Sequence, residues 1–384
     1  MTGRPGPRLA CFLAALFAAN AVSTYMPLWF ADRGLSPAAI GQVLGLASIC
    51  KVFSGPVWGT ISDWLGRRRP VMAAAAASAM VMSLTYFLAD GFTPILIVAA
   101  IQGIAASAAG PLADSLALAL TREGRMEYGP VRAAGSVSYM IATAAAGQGL
   151  ALFSTAVIPA IQALGHGLAA ICALTLMEAR TPAAGTRRLM GGWVLLRVPG
   201  FRLAVTCTAL IQGSHAAYYG FAALSWRSQG IDDGTIGLLF AEGIIAEILL
   251  FYRGRRLATY LGPAGLTACA ASAAIVRWGW MAFTPPLAVL AVLQLTHAAS
   301  FAMQHLSAMT VLSQAIPPER AATAQALHSA LGYGAPTGLM MLLSGYLYSG
   351  YGGLAFLAMA VCAGLSLFCI GALRRVTRSS QTVG

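Results

Sequence analysis

Charge is what this sequence has least of. Only 9% of its 384 residues are Asp, Glu, Lys or Arg, where a water-soluble domain carries about 25%. So few charges cannot cover a water-facing surface of this size, which excludes a soluble protein. Lysine is reduced to one residue, Lys51. Paired cysteines are missing too. Cys11, Cys50, Cys172, Cys207, Cys269, Cys362 and Cys369 all lie in apolar stretches without a C-x-x-C spacing, which argues against a disulfide framework or a thiolate metal site. There is no phosphate-binding G-x-x-x-x-G-K-[ST] loop, no G-x-S-x-G elbow and no H-E-x-x-H helix. These absences speak against an ATP-driven pump, a serine hydrolase and a zinc protease, and no cofactor is implied. An intramembrane enzyme would need clustered acidic metal ligands, and Asp232-Asp233 sits alone in a turn.

Apolar sequence fills the space that charge leaves. Hydrophobic residues make up 58% of the chain, and the mean hydropathy is +0.73. A membrane span needs about 20 mostly apolar residues. Such runs occur at roughly 9–30, 38–62, 71–89, 94–120, 130–154, 156–177, 201–225, 234–252, 262–283, 286–314, 320–349 and 351–373. Pro70, Pro94, Pro130 and Pro286 fall near proposed starts, where a missing N–H costs little. The first run follows Arg4 and Arg8 and contains a signal-like Ala19-Asn20-Ala21, but its apolar character continues to Phe30, which predicts a retained first helix.

The net charge of +12 is arginine in the connections. Twenty arginines fall on one side of the alternating spans, among them Arg67, Arg68, Arg69, Arg253, Arg255, Arg256, Arg374 and Arg375; only Arg33 and Arg227 fall on the other. The positive-inside rule then predicts twelve spans with both termini cytoplasmic. The longest polar interruption divides the chain into residues 1–177, a linker at 178–199 and residues 200–384. Six plus six helices is the architecture of a large class of secondary transporters. Small residues at four-residue spacing, such as Gly41/Gly45 and Gly334/Gly338, permit close helix approach.

Several motifs carry a family resemblance. Gly59-Thr-Ile-Ser-Asp63-Trp-Leu-Gly66-Arg67-Arg68-Arg69 resembles the G-x-x-x-D-R-x-G-R-R signature of the major facilitator superfamily, with Trp64 in place of the first Arg. The resemblance implies that Asp63, Arg67 and Arg68 gate the cytoplasmic side. Tyr128-Gly-Pro-Val-Arg132, Gln212-Gly-Ser-His215-Ala-Ala-Tyr218-Tyr219, Arg277-Trp278-Gly279 and the stretch from His297 to Met309 are similar to the phenylpropionate permease group, near the lactose permease and nucleoside–proton symporter branch. It covers nearly the whole chain and implies an all-α fold of two six-helix bundles. It also implies a monomeric carrier, embedded in the lipid bilayer of the inner membrane, that couples uptake of a small solute to a proton.

Ionisable residues inside spans cost on the order of 3 kcal/mol on insertion scales and are expected to face a polar space. Lys51 lies twelve residues before Asp63, ~18 Å along a helix and near the bilayer middle. Asp114 and Arg132, eighteen residues apart, resemble the sugar-binding carboxylate–arginine pair of lactose permease. Arg277 and His297 resemble its arginine and histidine, but Ser300 stands where that permease has a carboxylate, and Glu247 is displaced by about a turn. Glu247, with Arg277 and His297, is the expected proton-coupling set, and Glu242 a weaker candidate. The expected substrate contacts are Asp114, Arg132, Lys51, His215, Tyr218, Tyr219, Arg277 and Trp278, meeting in one central cavity between the halves.

Arginine beside aromatic faces suits an aromatic carboxylate; a nucleoside or an oligosaccharide stays open. His305 and Met309, spaced i, i+4, leave metal import as a minor alternative, and a sensor built on a transporter fold is another. Trp29 and Trp226, near span ends, are expected to anchor at the membrane interface. Nothing suggests a nucleic-acid partner.

Overall fold

The computed structural model describes residues 5–178, 189–317 and 320–381, with the side chains of Asp63 and Arg255 among those outside the described set. Its elements are helices, and the described residues include no strand. In chain order they are α1 (Pro5–Asp32), α2 (Pro37–Leu65), α3 (Arg68–Leu88), α4 (Phe92–Arg122), α5 (Tyr128–Leu152) and α6 (Val157–Leu174). After a short 3₁₀ stretch (Leu189–Arg197) come α7 (199–228), α8 (Asp233–Tyr252), α9 (Gly254–Met281), α10 (Leu287–Ala315), α11 (321–351) and α12 (355–381). Nine stretches among the described residues are long and apolar enough to cross a membrane. The last, Thr323–Thr377, runs 55 residues and holds two helices. The series is consistent with twelve spans.

The proline punctuation holds. Pro70, Pro94 and Pro130 each occupy the third position of their helix, and Pro286 precedes α10. Their missing N–H groups fall where a helix has no internal acceptor anyway. The boundary of α9, expected at 262, differs by eight residues. The helix begins at Gly254, because the arginine-rich turn winds into a short helix that bends at Gly262 (φ 61°) before Pro263. Only glycine takes that φ without steric cost.

Other interruptions also have local causes. Pro111 cannot donate to the carbonyl of Ser107, and α4 opens at Ser107–Ala108. The nearby Ile104 carbonyl accepts from Trp58 Nε1 (2.8 Å) and Ser107 Oγ (2.7 Å). In α7 the carbonyl of Ile211 accepts from Ser214 Oγ (2.6 Å) and His215 Nδ1 (2.9 Å), and the helix breaks at those two residues. Side chains that compete for a backbone acceptor loosen a helix in this way. In α10, Ala298–Met303 is π-helical, and in α11 so is Ser329–Gly334, just before Pro336.

The chain forms two compact units, Met1–Thr186 with Asp232–Ala241, and Arg187–Ile231 with Glu242–Gly384. In the first, α1 packs on α5 and α6, α2 on α4, and α3 on α6. Its apolar interior includes Leu9, Phe12, Leu16, Met72, Leu116 and Leu120. In the second, α7 packs on α11 and α10, and α9 on α12 and α10. First-with-fifth and third-with-sixth pairing thus occurs in both. All seven cysteines are free.

Trp29 and Trp226 depart from expectation. Both are buried at 1% exposure inside the protein and do not anchor at its rim. Trp29 packs edge-on against Phe30 and Tyr86, with Arg33 over its ring at 4.7 Å. Trp226 lies edge-on to Tyr218.

Candidate functional site

The ionisable candidates fall into a cluster in each unit. In the second unit, Gly243 of α8 faces α10: a Cβ there would lie 3.4 Å from His297 Cβ, in ordinary contact. One turn on, Glu247 Oε2 stands 3.4 Å from His297 Nε2. The other ring nitrogen, Nδ1, is 2.8 Å from Arg277 Nη1. A guanidinium only donates, so Nδ1 accepts and the neutral ring carries its hydrogen on Nε2, facing Glu247. His297 thus stands between Arg277 and Glu247.

Arg277 is fully buried. Its Nη2 donates to Gln294 Oε1 at 2.8 Å, which also accepts from Tyr218 Oη at 3.0 Å. The guanidinium lies over the rings of Tyr218 (4.2 Å) and Trp278 (4.8 Å). Its Nε has no partner among the described residues. Aromatic faces and neutral acceptors therefore do what a touching carboxylate would otherwise do for this cation.

His215 joins this cluster. Its Nδ1–H donates to the Ile211 carbonyl, which leaves Nε2 to accept from Ser300 Oγ at 3.1 Å. Ser300, standing where the related permease has a carboxylate, is thus a histidine partner. Trp278 Nε1 donates to Ser214 Oγ at 2.9 Å, and Tyr219 stacks on His215 at 6.1 Å. Gln294, absent from the expected set, links Arg277 to Tyr218. His305 bonds to Tyr333 Oη at 2.9 Å and His328 to Thr208 Oγ1 at 3.0 Å. Among the described residues no three His, Cys, Asp or Glu gather as metal ligands.

In the first unit Arg132 Nε lies 3.8 Å from Asp114 Oδ1, both partly exposed. Tyr128 Oη donates to the same oxygen at 3.1 Å, and Phe17 lies under the guanidinium at 4.5 Å. Lys51 lies elsewhere in this unit, on a cavity of about 70 Å³ formed by α1, α2, α3, α4 and α6. Asn20, Gln102, Gln162 and His166 share that cavity and were not singled out from sequence.

Of the expected gate, the Asp63 side chain is outside the described residues and Arg67 is exposed. The backbone N–H groups of Arg68 and Arg69 donate to Glu178 Oε2 (3.2 Å) and Oε1 (2.8 Å). A carboxylate from beyond α6 thus caps the positive end of α3. Asp232 is not an isolated acid. Its carboxylate accepts from the Thr235 hydroxyl (2.6 Å) and backbone N–H (2.9 Å), which holds its carboxyl below the usual carboxylate range.

The family model described as "MFS_1 like family" matches residues 8–358. The chain belongs to that family. It is a transporter of the major facilitator type, all-α and multi-pass in the membrane, and not an enzyme. Among its relatives, the probable 3-phenylpropionic acid transporter of Escherichia coli (strain K12) is 27% identical over 348 residues, 90% of this chain and 91% of the relative. The maltose permease of Geobacillus stearothermophilus is 28% identical over 357 residues, 91% and 90% of the two chains. Among solved structures, the nucleoside transporter NupG is similar with a TM-score of 0.85 at 16% identity, covering 97% of this chain and 99% of that one. A D-xylose-proton symporter is similar with a TM-score of 0.70 at 14% identity, covering 95% and 96%.

Proposed function

We propose that this transporter takes up a small organic anion of the aromatic carboxylate class together with a proton, by alternating access. The observation that carries coupling is the Glu247–His297–Arg277 chain. With Arg277 on Nδ1, the imidazole turns its Nε2–H toward Glu247 Oε2 at 3.4 Å, and carboxylate and guanidinium balance each other across the ring. A proton on Glu247 removes the negative charge that balances Arg277 across the ring, and the chain loosens. A site that exchanges a proton for an internal tie is what a symporter requires. Glu242, without an ion-pair partner among the described residues, does not have this arrangement.

The relative named for 3-phenylpropionic acid supports the solute class. Glu247→Gln is expected to lower proton-driven accumulation in proteoliposomes sharply and to leave solute exchange at equal concentrations, because exchange needs no net proton release. Accumulation that survives at the wild-type level would remove Glu247 as a carrier.

A second reading, a nucleoside or oligosaccharide as solute, draws on the Asp114–Arg132 pair, whose acceptor and donor suit hydroxyls. Competition of the two solute classes for uptake separates the readings. We also place both termini in the cytoplasm of the inner membrane, with the carrier acting as a monomer. A cysteine at Asp90 or Gln229 should react with an impermeant external reagent and one at Trp193 should not; the reverse labelling overturns the orientation.

A further inference from the structure

The first unit holds a polar cavity whose hydrogen-bond account does not close. Gln102 Nε2 donates to Ser83 Oγ (2.8 Å) and to Gln162 Oε1 (3.2 Å), and Gln162 Nε2 donates to Ser23 Oγ (2.8 Å). The one hydroxyl hydrogen of Ser83 goes to the Ala79 carbonyl at 2.8 Å. Ser83 Oγ therefore faces His166 Nδ1, at 3.4 Å, as an acceptor, which puts the ring hydrogen on Nδ1. The second ring nitrogen, Nε2, is then a bare lone pair. His166 is only 2% exposed and its Nε2 has no partner among the described residues.

That nitrogen belongs to a residue lining the same cavity as Lys51, the chain's single lysine. Lys51 is exposed and has no carboxylate partner among the described residues. Tyr86 is the cavity's other titratable lining residue. The rest of the wall includes Met26, Phe30 and Leu44, so a cation and an unsatisfied imidazole are set against apolar surface. The cavity, about 70 Å³, has room for several waters, each needing roughly 10–15 Å³. Gly103 lets the walls close here: a Cβ on it would sit 2.8 Å from the carbonyl of Ala47, one turn before Lys51.

We infer that this cavity is the subsite for the carboxyl group of the solute, with Lys51 contacting one oxygen and His166 Nε2 sharing a proton with the other. The charge account supports the pairing. A carboxylate balances the lysine ammonium, and the imidazole lone pair makes its contact only through an added proton. The bound state therefore holds one proton more than the separate anion and protein, taken from solution at binding, with no bond other than N–H or O–H made or broken. Arg277, sealed from solvent, is left to coupling.

This inference rests on the aromatic carboxylate reading above, and calorimetry on the purified full chain with 3-phenylpropionate and its neutral isostere 3-phenylpropionamide tests both. The wild type should prefer the acid at least tenfold, and titration in buffers of different ionisation enthalpy should show close to one proton taken up per acid bound. Lys51→Gln should remove the preference while amide binding persists, which shows that the variant is folded, and Lys51→Arg should restore much of it. His166→Asn should bring proton uptake near zero, and Asp90→Asn, away from the cavity, should leave it unchanged. Acid preference retained in Lys51→Gln, or proton uptake kept in His166→Asn, overturns the subsite and leaves the solute class standing. A wild type that binds neither probe, nor benzoate, overturns the solute class and the subsite with it, while leaving proton coupling through Glu247 untouched.

Discussion

The two units keep their central cations in opposite ways. Arg277, in the second, is enclosed by two aromatic rings, a glutamine and a histidine, and has no solvent exposure. Lys51, in the first, is exposed on a cavity and answers no carboxylate among the described residues. A charge satisfied internally is available for switching but poorly placed to meet a solute. A charge left open is placed to meet one and contributes little to the fold. The planar guanidinium suits the enclosed role, because it bonds in fixed directions and stacks on rings, whereas the ammonium is a mobile point charge.

The largest expected effect follows from breaking the enclosed arrangement. Arg277→Met should strand His297 Nδ1 without a donor, leave Gln294 Oε1 with Tyr218 Oη alone, and leave Glu247 without its cation. Removing one partner from a buried charged set costs about 3–5 kcal/mol. Thermal unfolding in detergent should register it as a large loss, and a double-mutant cycle with Glu247→Gln should show coupling although the two charged groups do not touch. Additive costs would mean that His297 transmits nothing between them.

How much of this was readable from sequence follows the same division. Spans were legible because an apolar run of sufficient length has one stable outcome in lipid, and the bend at Gly262 lies where the apolar run of α9 was expected to begin. Glu247, Arg277 and His297 were legible because charge inside a span is rare and costly. The spacer role of His297 was not, since it depends on α8 and α10 packing side by side. Asn20, Gln102, Gln162 and His166 were missed for a different reason. Uncharged polar residues are common in spans, and these converge only once α1, α4 and α6 have packed. Glu178 likewise read as the start of a linker, because its partners lie 109 and 110 residues earlier.

A smaller effect should come from that cap. Glu178→Ala removes the acceptor of two backbone N–H groups at the start of α3, and losing a helix cap costs typically ~1 kcal/mol. Hydrogen exchange at Arg68 and Arg69 should accelerate roughly fivefold, the equivalent of that loss. Glu178→Gln, which keeps one acceptor oxygen, should give an intermediate rate. Unchanged exchange in both would show that solvent replaces the carboxylate. Asp63→Asn tests the neighbouring gate: it should slow net transport and leave solute affinity nearly constant.

The smallest effect on stability is expected at Lys51, and it sharpens the contrast most. Lys51→Met deletes a cation whose ammonium has no carboxylate to abandon, and methionine retains most of the apolar stem. Substitutions away from packed or paired features fall within about 0.5 kcal/mol, and relieving an unpaired charge inside a span favours folding if it does anything. The apparent melting temperature should therefore stay level or rise slightly, while Arg277→Met lowers it sharply under the same conditions. A carrier that gains or keeps stability on losing a residue set deep in a span retains that residue for what it binds. If instead Lys51→Met destabilises as much as Arg277→Met, the lysine is a structural charge, the open cavity is part of the scaffold, and the distinction between an enclosed coupling cation and an open binding cation fails.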